Sequence, residues 1–158
     1  MDASSPLKDQ LGLIAPKRLF TDRLFLLALF SGCVLSLFIG ALFDAGGWLD
    51  RGWMPLLSLV LWAPVVEELA FRGVVQGYLS TGIWGRRTIV GLSVANIVAA
   101  VLFTAWHLVY RTDLTAWLVF FPALVFGYFR DRHGSLVPCM ILHAAYNAAL
   151  LPGGYLAS

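Results

Sequence analysis

The sequence predicts an all-α fold, a polytopic transmembrane helical bundle of about five helices. Of its 158 residues, 59% are hydrophobic and 13% charged, whereas soluble domains are about 45–50% apolar and about 25% charged. Mean hydropathy is +0.80. The apolar residues fall into runs near the roughly 20 residues that a hydrocarbon core requires, and most of the basic residues sit between those runs. Such a chain has no room for a large soluble catalytic domain, so any chemistry must be done inside the membrane. The formal charge of +2 is too small to suggest a nucleic-acid partner; the partners expected are the lipid bilayer and a protein or peptide in or at it.

The first span is the uncharged run 24–43, preceded by Lys17, Arg18 and Arg23. A signal peptide would have a shorter apolar region and a small-x-small cleavage site, which the surroundings of Ala41 and Ala45 do not supply. The second run, 53–79, contains Glu67, Glu68 and Arg72. The third, 89–110, carries His107, and the fourth, 114–129, is short, at roughly 24 Å of helical rise, so that it requires thinning of the bilayer or snorkelling of its flanks. The fifth, 136–151, holds His143 and Asn147. Cys33 and Cys139 lie inside spans, where reduced thiols pack as small apolar groups. Neither a disulfide framework nor a CxxC metal motif is present.

Lys8, Lys17, Arg18, Arg23, Arg86, Arg87, Arg130 and Arg132 fall on one side of this arrangement, and only Arg51 and Arg111 on the other. The positive-inside rule then places the N-terminus in the cytoplasm and the C-terminus outside. The expected organisation is a cytoplasmic or interfacial leader over 1–23, one transmembrane domain over 24–151 and a short tail over 152–158. With span centres aligned, Glu67 lies past the midpoint of the second helix and His107 near the outer end of the third. That leaves a depth mismatch of roughly 10 Å at helical rise.

Ionisable groups at membrane depth cost about 2.5–3.5 kcal/mol each on insertion scales and are functional hypotheses by default. Glu67, Glu68, Arg72, His107 and His143 are the five here. Glu68 and Arg72 are four apart, on one helical face, and can pair. Glu67 is turned about 100° away, off that face, where a low dielectric raises a carboxylate's pKa and makes it a usable general base. Pro64 can kink the helix or free a carbonyl, and Gly73 with Gly77 permits close helix approach. Phe103 with His107, and His143 with Asn147, are each one turn apart. Two histidines, an amide and a carboxylate are the parts needed to activate water and hold a tetrahedral oxyanion. Glu67, His107 and His143 also resemble a catalytic zinc set with an open position. No H-E-x-x-H helix accompanies them, and Asn147 suits an oxyanion better than zinc, which favours a site without a cofactor.

In order along the chain, Glu67-Glu68-x-x-x-Arg72, Phe103-x-x-x-His107 and His143-x-x-x-Asn147 resemble the three motifs of the CAAX-protease and bacteriocin-processing family, also called the Abi family of glutamic intramembrane proteases. The resemblance covers 54–151. It implies that Glu67 and His107 activate the water, that His143 and Asn147 form the oxyanion hole, and that Glu68, Arg72 and Phe103 support the site or substrate. The best-known member is the CAAX prenyl endopeptidase, which removes the last three residues of prenylated proteins. With one predicted helix before the motif core instead of the longer arrangement of eight-span members, this chain resembles a short bacterial member. The expected setting is the inner membrane, and the expected substrate a bacteriocin, a leader or the C-terminal anchor of an exported protein.

These residues together are expected to make an intramembrane endopeptidase that hydrolyses a peptide bond with Glu- and His-activated water. Its rivals are a zinc-dependent protease built on the same residues and a non-catalytic membrane protein, either an ion path or an immunity or scaffold factor. Transporters commonly show inverted-repeat symmetry, and no internal repeat is found here.

Overall fold

The computed structural model describes residues 7–43 and 52–157. Helix α1 is Arg23–Leu42, α2 is Trp53–Leu79, α3 is Val94–Tyr110, α4 is Leu114–Leu118, α5 is Phe120–His133 and α6 is Val137–Ala157. Among the described residues, Arg23–Leu42, Trp53–Leu79 and Leu114–His133 are long and apolar enough to cross a bilayer. Val94–Tyr110 and Val137–Pro152 are shorter apolar helices occupying the third and fifth predicted spans. Arg51 of the orientation count, residues 1–6 of the predicted leader and residue 158 of the predicted tail lie outside the described residues.

Polar residues start three of the helices. Asp22 accepts from the Leu24 amide at 3.0 Å to start α1, and Ser93 accepts from the Asn96 amide at 3.0 Å to start α3, each satisfying a donor that the first helical turn leaves unpaired. Asp113 caps α4 through the Ala116 amide; its hydrogen bonds to Thr115 and Arg111 hold its carboxyl down to about 2. Gly134, at φ 63, ends α5 in the left-handed conformation, which glycine adopts without steric cost. The third span begins later than its apolar run. Val90 (φ 51) and Gly91 (φ 81) form a two-residue turn with both central residues at positive φ, the geometry that suits a tight hairpin. Thr88–Ile89 and Leu92–Ser93 pair across it.

The chain divides into two compact units, 1–17 with 67–139 and 18–66 with 140–158. In the first, Ala100, Phe103 and Ala123 form a buried core with Phe71, Val119, Phe120 and Leu124 packed on it. Helix α5 is the common partner of the others. Arg72 donates to the Ala123 carbonyl at 2.9 Å and Gln76 to the Gly127 carbonyl at 2.9 Å. Because both partners advance by four, this part of α2 runs parallel to α5, as the second and fourth crossings of an alternating bundle must. Asn96 of α3 donates to the Leu124 carbonyl at 3.0 Å. Gly127 allows that approach, since a Cβ there would lie 1.9 Å from Asn96 Oδ1. Residues 12 and 14 of the predicted leader are bound into this unit: the Leu136 amide donates to Gly12 O at 2.8 Å and Ser135 Oγ to Ile14 O at 2.5 Å.

In the second unit α1 and α6 meet along small residues. Tyr146 donates to Ala28 O at 2.8 Å, and its ring lies where a Cβ on Gly32 would be. One further contact up both helices, a Cβ on Gly40 would sit 2.0 Å from the Leu150 carbonyl oxygen. The two helices are thus parallel, as first and fifth crossings are. The unit's outer faces are apolar: Phe30, Leu35, Phe38 and Leu42 are exposed, the surface that lipid covers. Gly40→Ala cannot be absorbed by a side-chain movement because the obstacle is backbone; overpacking of this kind costs about 1–3 kcal/mol. In detergent, the thermal midpoint of Gly40→Ala is expected to fall by several degrees while Gly82→Ala, whose Cβ meets Leu79 O at an ordinary 3.6 Å, leaves it unchanged.

Candidate active site

Helix α2 contains two π-helical stretches, Ser58–Trp62 and Leu69–Gln76. Wider turns of this kind recur at functional sites, and both serve the predicted residues. In the first, the Ala63 amide reaches back five residues to Ser58 O. The next residue in that pattern is Pro64, which has no N–H, so Leu59 O receives no i+5 donor. Asn147 Nδ2 takes the place of that donor at 2.9 Å. Pro64 therefore frees a carbonyl, as the sequence suggested, and the carbonyl orients the motif asparagine. These residues all belong to the second unit. There His143, one turn before Asn147 on α6, is buried.

The second π stretch carries Arg72 and Gln76. Arg72 and Gln76, four apart in this stretch, both reach carbonyls of α5. The pairing of Glu68 with Arg72 is observed: Nη1 to Oε1 is 3.0 Å, and both side chains are wholly buried. Arg72 Nη2 is held by Ala123 O. The guanidinium lies 4.5 Å from the Phe103 ring centroid and 5.4 Å from that of Phe126, within cation–π range. Phe71 meets Phe103 edge-on at 5.2 Å. Glu67 is half-buried on the neighbouring face.

Phe103 also sets His107. The two rings are 4.5 Å apart, and His107 Nδ1 lies 2.9 Å from Phe103 O. A carbonyl accepts only, so Nδ1 carries the proton and Nε2 is the basic nitrogen. With Phe103 level with Phe71 and Arg72 on antiparallel helices, His107 lies toward the Glu67–Glu68 end of α2. The predicted depth mismatch does not arise. Span centres were a poor ruler, because α2 is 27 residues long and α3 only 17.

Thus the first unit brings together Glu68, Arg72, Phe103 and His107, with Glu67 beside them, and the second orients Asn147 near His143. Sequence reasoning missed Gln76, Asn96 and Phe126. Gln76 is wholly buried, and besides Gly127 O it binds Asp131 Oδ1 at 2.8 Å, which in turn accepts from Ser93. Its position four residues after Arg72 extends the Glu68–Arg72 spacing and was the available signal. Cys33 and Cys139 are free thiols, and Cys139 donates to Phe126 O. Among the described residues no cluster of three or more His, Cys, Asp or Glu side chains is spaced to hold a metal ion.

A bundle of apolar helices with a buried carboxylate–guanidinium pair and intramembrane histidines defines a polytopic membrane protein with a polar site at membrane depth. The sequence matches the type II CAAX prenyl endopeptidase Rce1-like family over residues 47–149, and the chain belongs to that family. It is accordingly an integral membrane protein and a hydrolase of the CAAX-type intramembrane endopeptidase class. No curated protein and no solved structure matches it.

Removing one partner of a buried ion pair strands the other charge and costs about 3–5 kcal/mol, whereas replacing both with apolar groups of similar volume is far milder. Arg72→Ala is therefore expected to lose most of its folded, monodisperse protein in detergent. The double variant Glu68→Leu with Arg72→Met is expected to recover much of the thermal stability, and a double variant no more stable than Arg72→Ala would contradict this account of the pair.

Proposed function

We propose that the protein cleaves a peptide bond in a membrane-associated or exported protein or peptide, using a water activated by Glu67 and His107 without a metal. The observation that carries this reading is the 2.9 Å contact of His107 Nδ1 with Phe103 O. With Nδ1 committed to Phe103 O, Nε2 is a hydrogen-bond acceptor on the same end of the helix pair as Glu67, suited to hold a water by one of its protons. Glu67 takes the other proton as general base, and the resulting hydroxide attacks the scissile carbonyl. Asn147 and His143 stabilise the oxyanion. One N–H of the Asn147 amide is spent on Leu59 O, which fixes the plane of the group, and the second N–H serves as a preorganised oxyanion donor. Glu67 then returns its proton to the leaving amine. Glu68 and Arg72 hold the frame from which Glu67 projects. The family assignment supports the peptidase class, and the order of the three motifs supports the division of roles. We place the enzyme in a bacterial inner membrane with its N-terminus in the cytoplasm, following the basic-residue count.

Glu67→Gln keeps the shape and loses the base, so peptide cleavage by the purified, folded variant is expected to disappear; full turnover would remove Glu67 from the mechanism. Asn147→Ala is expected to lower kcat by about 10²–10³, the usual effect of deleting one oxyanion donor, with a smaller change in KM. Incubation with 1,10-phenanthroline is expected to leave activity intact. Inactivation that zinc reverses would instead assign Glu67, His107 and His143 to a metal.

A further inference from the structure

The connection between α2 and α3 is unusual for a loop in water. Ile83, Trp84, Ile89 and Val90 are all exposed, Val90 at 98% and Ile83 at 80%. Large apolar side chains gathered on a short connection usually mark an interaction surface. The backbone adds a second indication. Val90 sits at φ 51, a left-handed conformation that is an outlier for a β-branched residue. Tight hairpin turns of this kind favour Asn, Asp or Gly in that position. An apolar side chain is thus held outward at the tip against the backbone's preference.

The hairpin has a defined inner side. Thr88, Gly91 and Ser93 line an open groove of about 830 Å3 together with Gln76 and Asp131, and Ser93 Oγ donates to Asp131. Ile89 and Val90 are consequently on the side turned away from the protein. Arg87 stacks on Trp84, 3.9 Å from the ring centroid, and Arg86 is bound to Ser80 O at 2.7 Å. Arg86, Arg130 and Arg132 outnumber Asp9 and Asp131 around the groove, so this end of the unit is net basic. Its depth follows from length: α3 starts at Val94, and its 17 residues rise roughly 26 Å against a hydrocarbon core of about 30 Å. A hairpin attached directly to such a short helix begins at the edge of the hydrocarbon.

We propose that the 83–90 segment is a membrane-dipping anchor: its apolar tip enters the acyl boundary of an anionic phospholipid leaflet, while Arg86 and Arg87 meet the phosphates. Trp84, with Arg87 over its ring, sits at the headgroup level that amphipathic aromatics prefer. The attraction of basic residues to an anionic leaflet supplies the choice of lipid. This anchor is independent of the catalytic reading.

The test places a nitroxide spin label on Val90→Cys, in a Cys33→Ala, Cys139→Ala background of the full chain, with Ile83→Cys as a second site should the first fail to fold. The labelled protein is reconstituted into bilayers of phosphatidylcholine with or without phosphatidylglycerol. With phosphatidylglycerol present, collision with oxygen is expected to exceed collision with a water-soluble nickel chelate by several-fold. In phosphatidylcholine alone the nickel collision rate is expected to rise at least twofold. Nickel accessibility equal to that of a water-exposed position, protection from both reagents as under a second copy of the chain, or no difference between the two lipids overturns the proposal.

Discussion

A guanidinium that reaches neither water nor headgroups must have its charge answered by the protein, and much of the first unit is arranged to answer that of Arg72. Glu68 supplies the counter-charge, the Ala123 carbonyl takes a second nitrogen, and Phe103 and Phe126 offer ring faces. Nε has no acceptor among the described residues, so the ring faces carry part of what hydrogen bonds would otherwise do. These groups come from α2, α3 and α5. Satisfying one side chain therefore fixes the register of three helices.

The same economy governs the polar side chains around it. Arg72, Gln76 and Asn96 all donate to main-chain carbonyls of α5, at 123, 127 and 124. Helix carbonyls are the one acceptor that an apolar helix always has, and each retains a second lone pair after its helical bond. Reaching them requires close approach, which is why Gly127, with no side chain, stands at the meeting point. In the second unit Pro64 creates such an acceptor by withholding a donor, and Asn147 uses it. Defects in the regular helix, two π stretches and one proline, thus become the means of orienting polar groups where no water is present to do so.

Legibility in the sequence followed the range of the interaction. The spans of α1 and α2 were readable to within a residue, because hydrophobic runs and charged flanks are local. The Glu68–Arg72 pair and the two one-turn motifs were readable for the same reason: helical spacing alone puts those residues on one face. The start of α3 was not, since Ile89 and Val90 belong to an apolar run and only the pairing of Thr88–Ile89 with Leu92–Ser93 diverts them into a hairpin. Asn96 was missed because its partner is a backbone carbonyl of a helix distant in sequence, and Gln76, though four residues after Arg72, because its partners Gly127 O and Asp131 lie more than fifty residues away. The binding of residues 12 and 14 to 135 and 136 likewise has no local signature.

By itself the sequence determined that this chain lives in a membrane as a helical bundle, that Glu68 and Arg72 share a helical face, and through three ordered motifs the family to which it belongs. Those are consequences of composition and of spacing along one helix. The tertiary structure decided the level at which helices face one another, the tautomer that leaves His107 Nε2 as its basic nitrogen, and the carbonyl that orients Asn147. Each of these depends on where a backbone oxygen lies in space, and backbone oxygens are the same in every sequence until the fold places them.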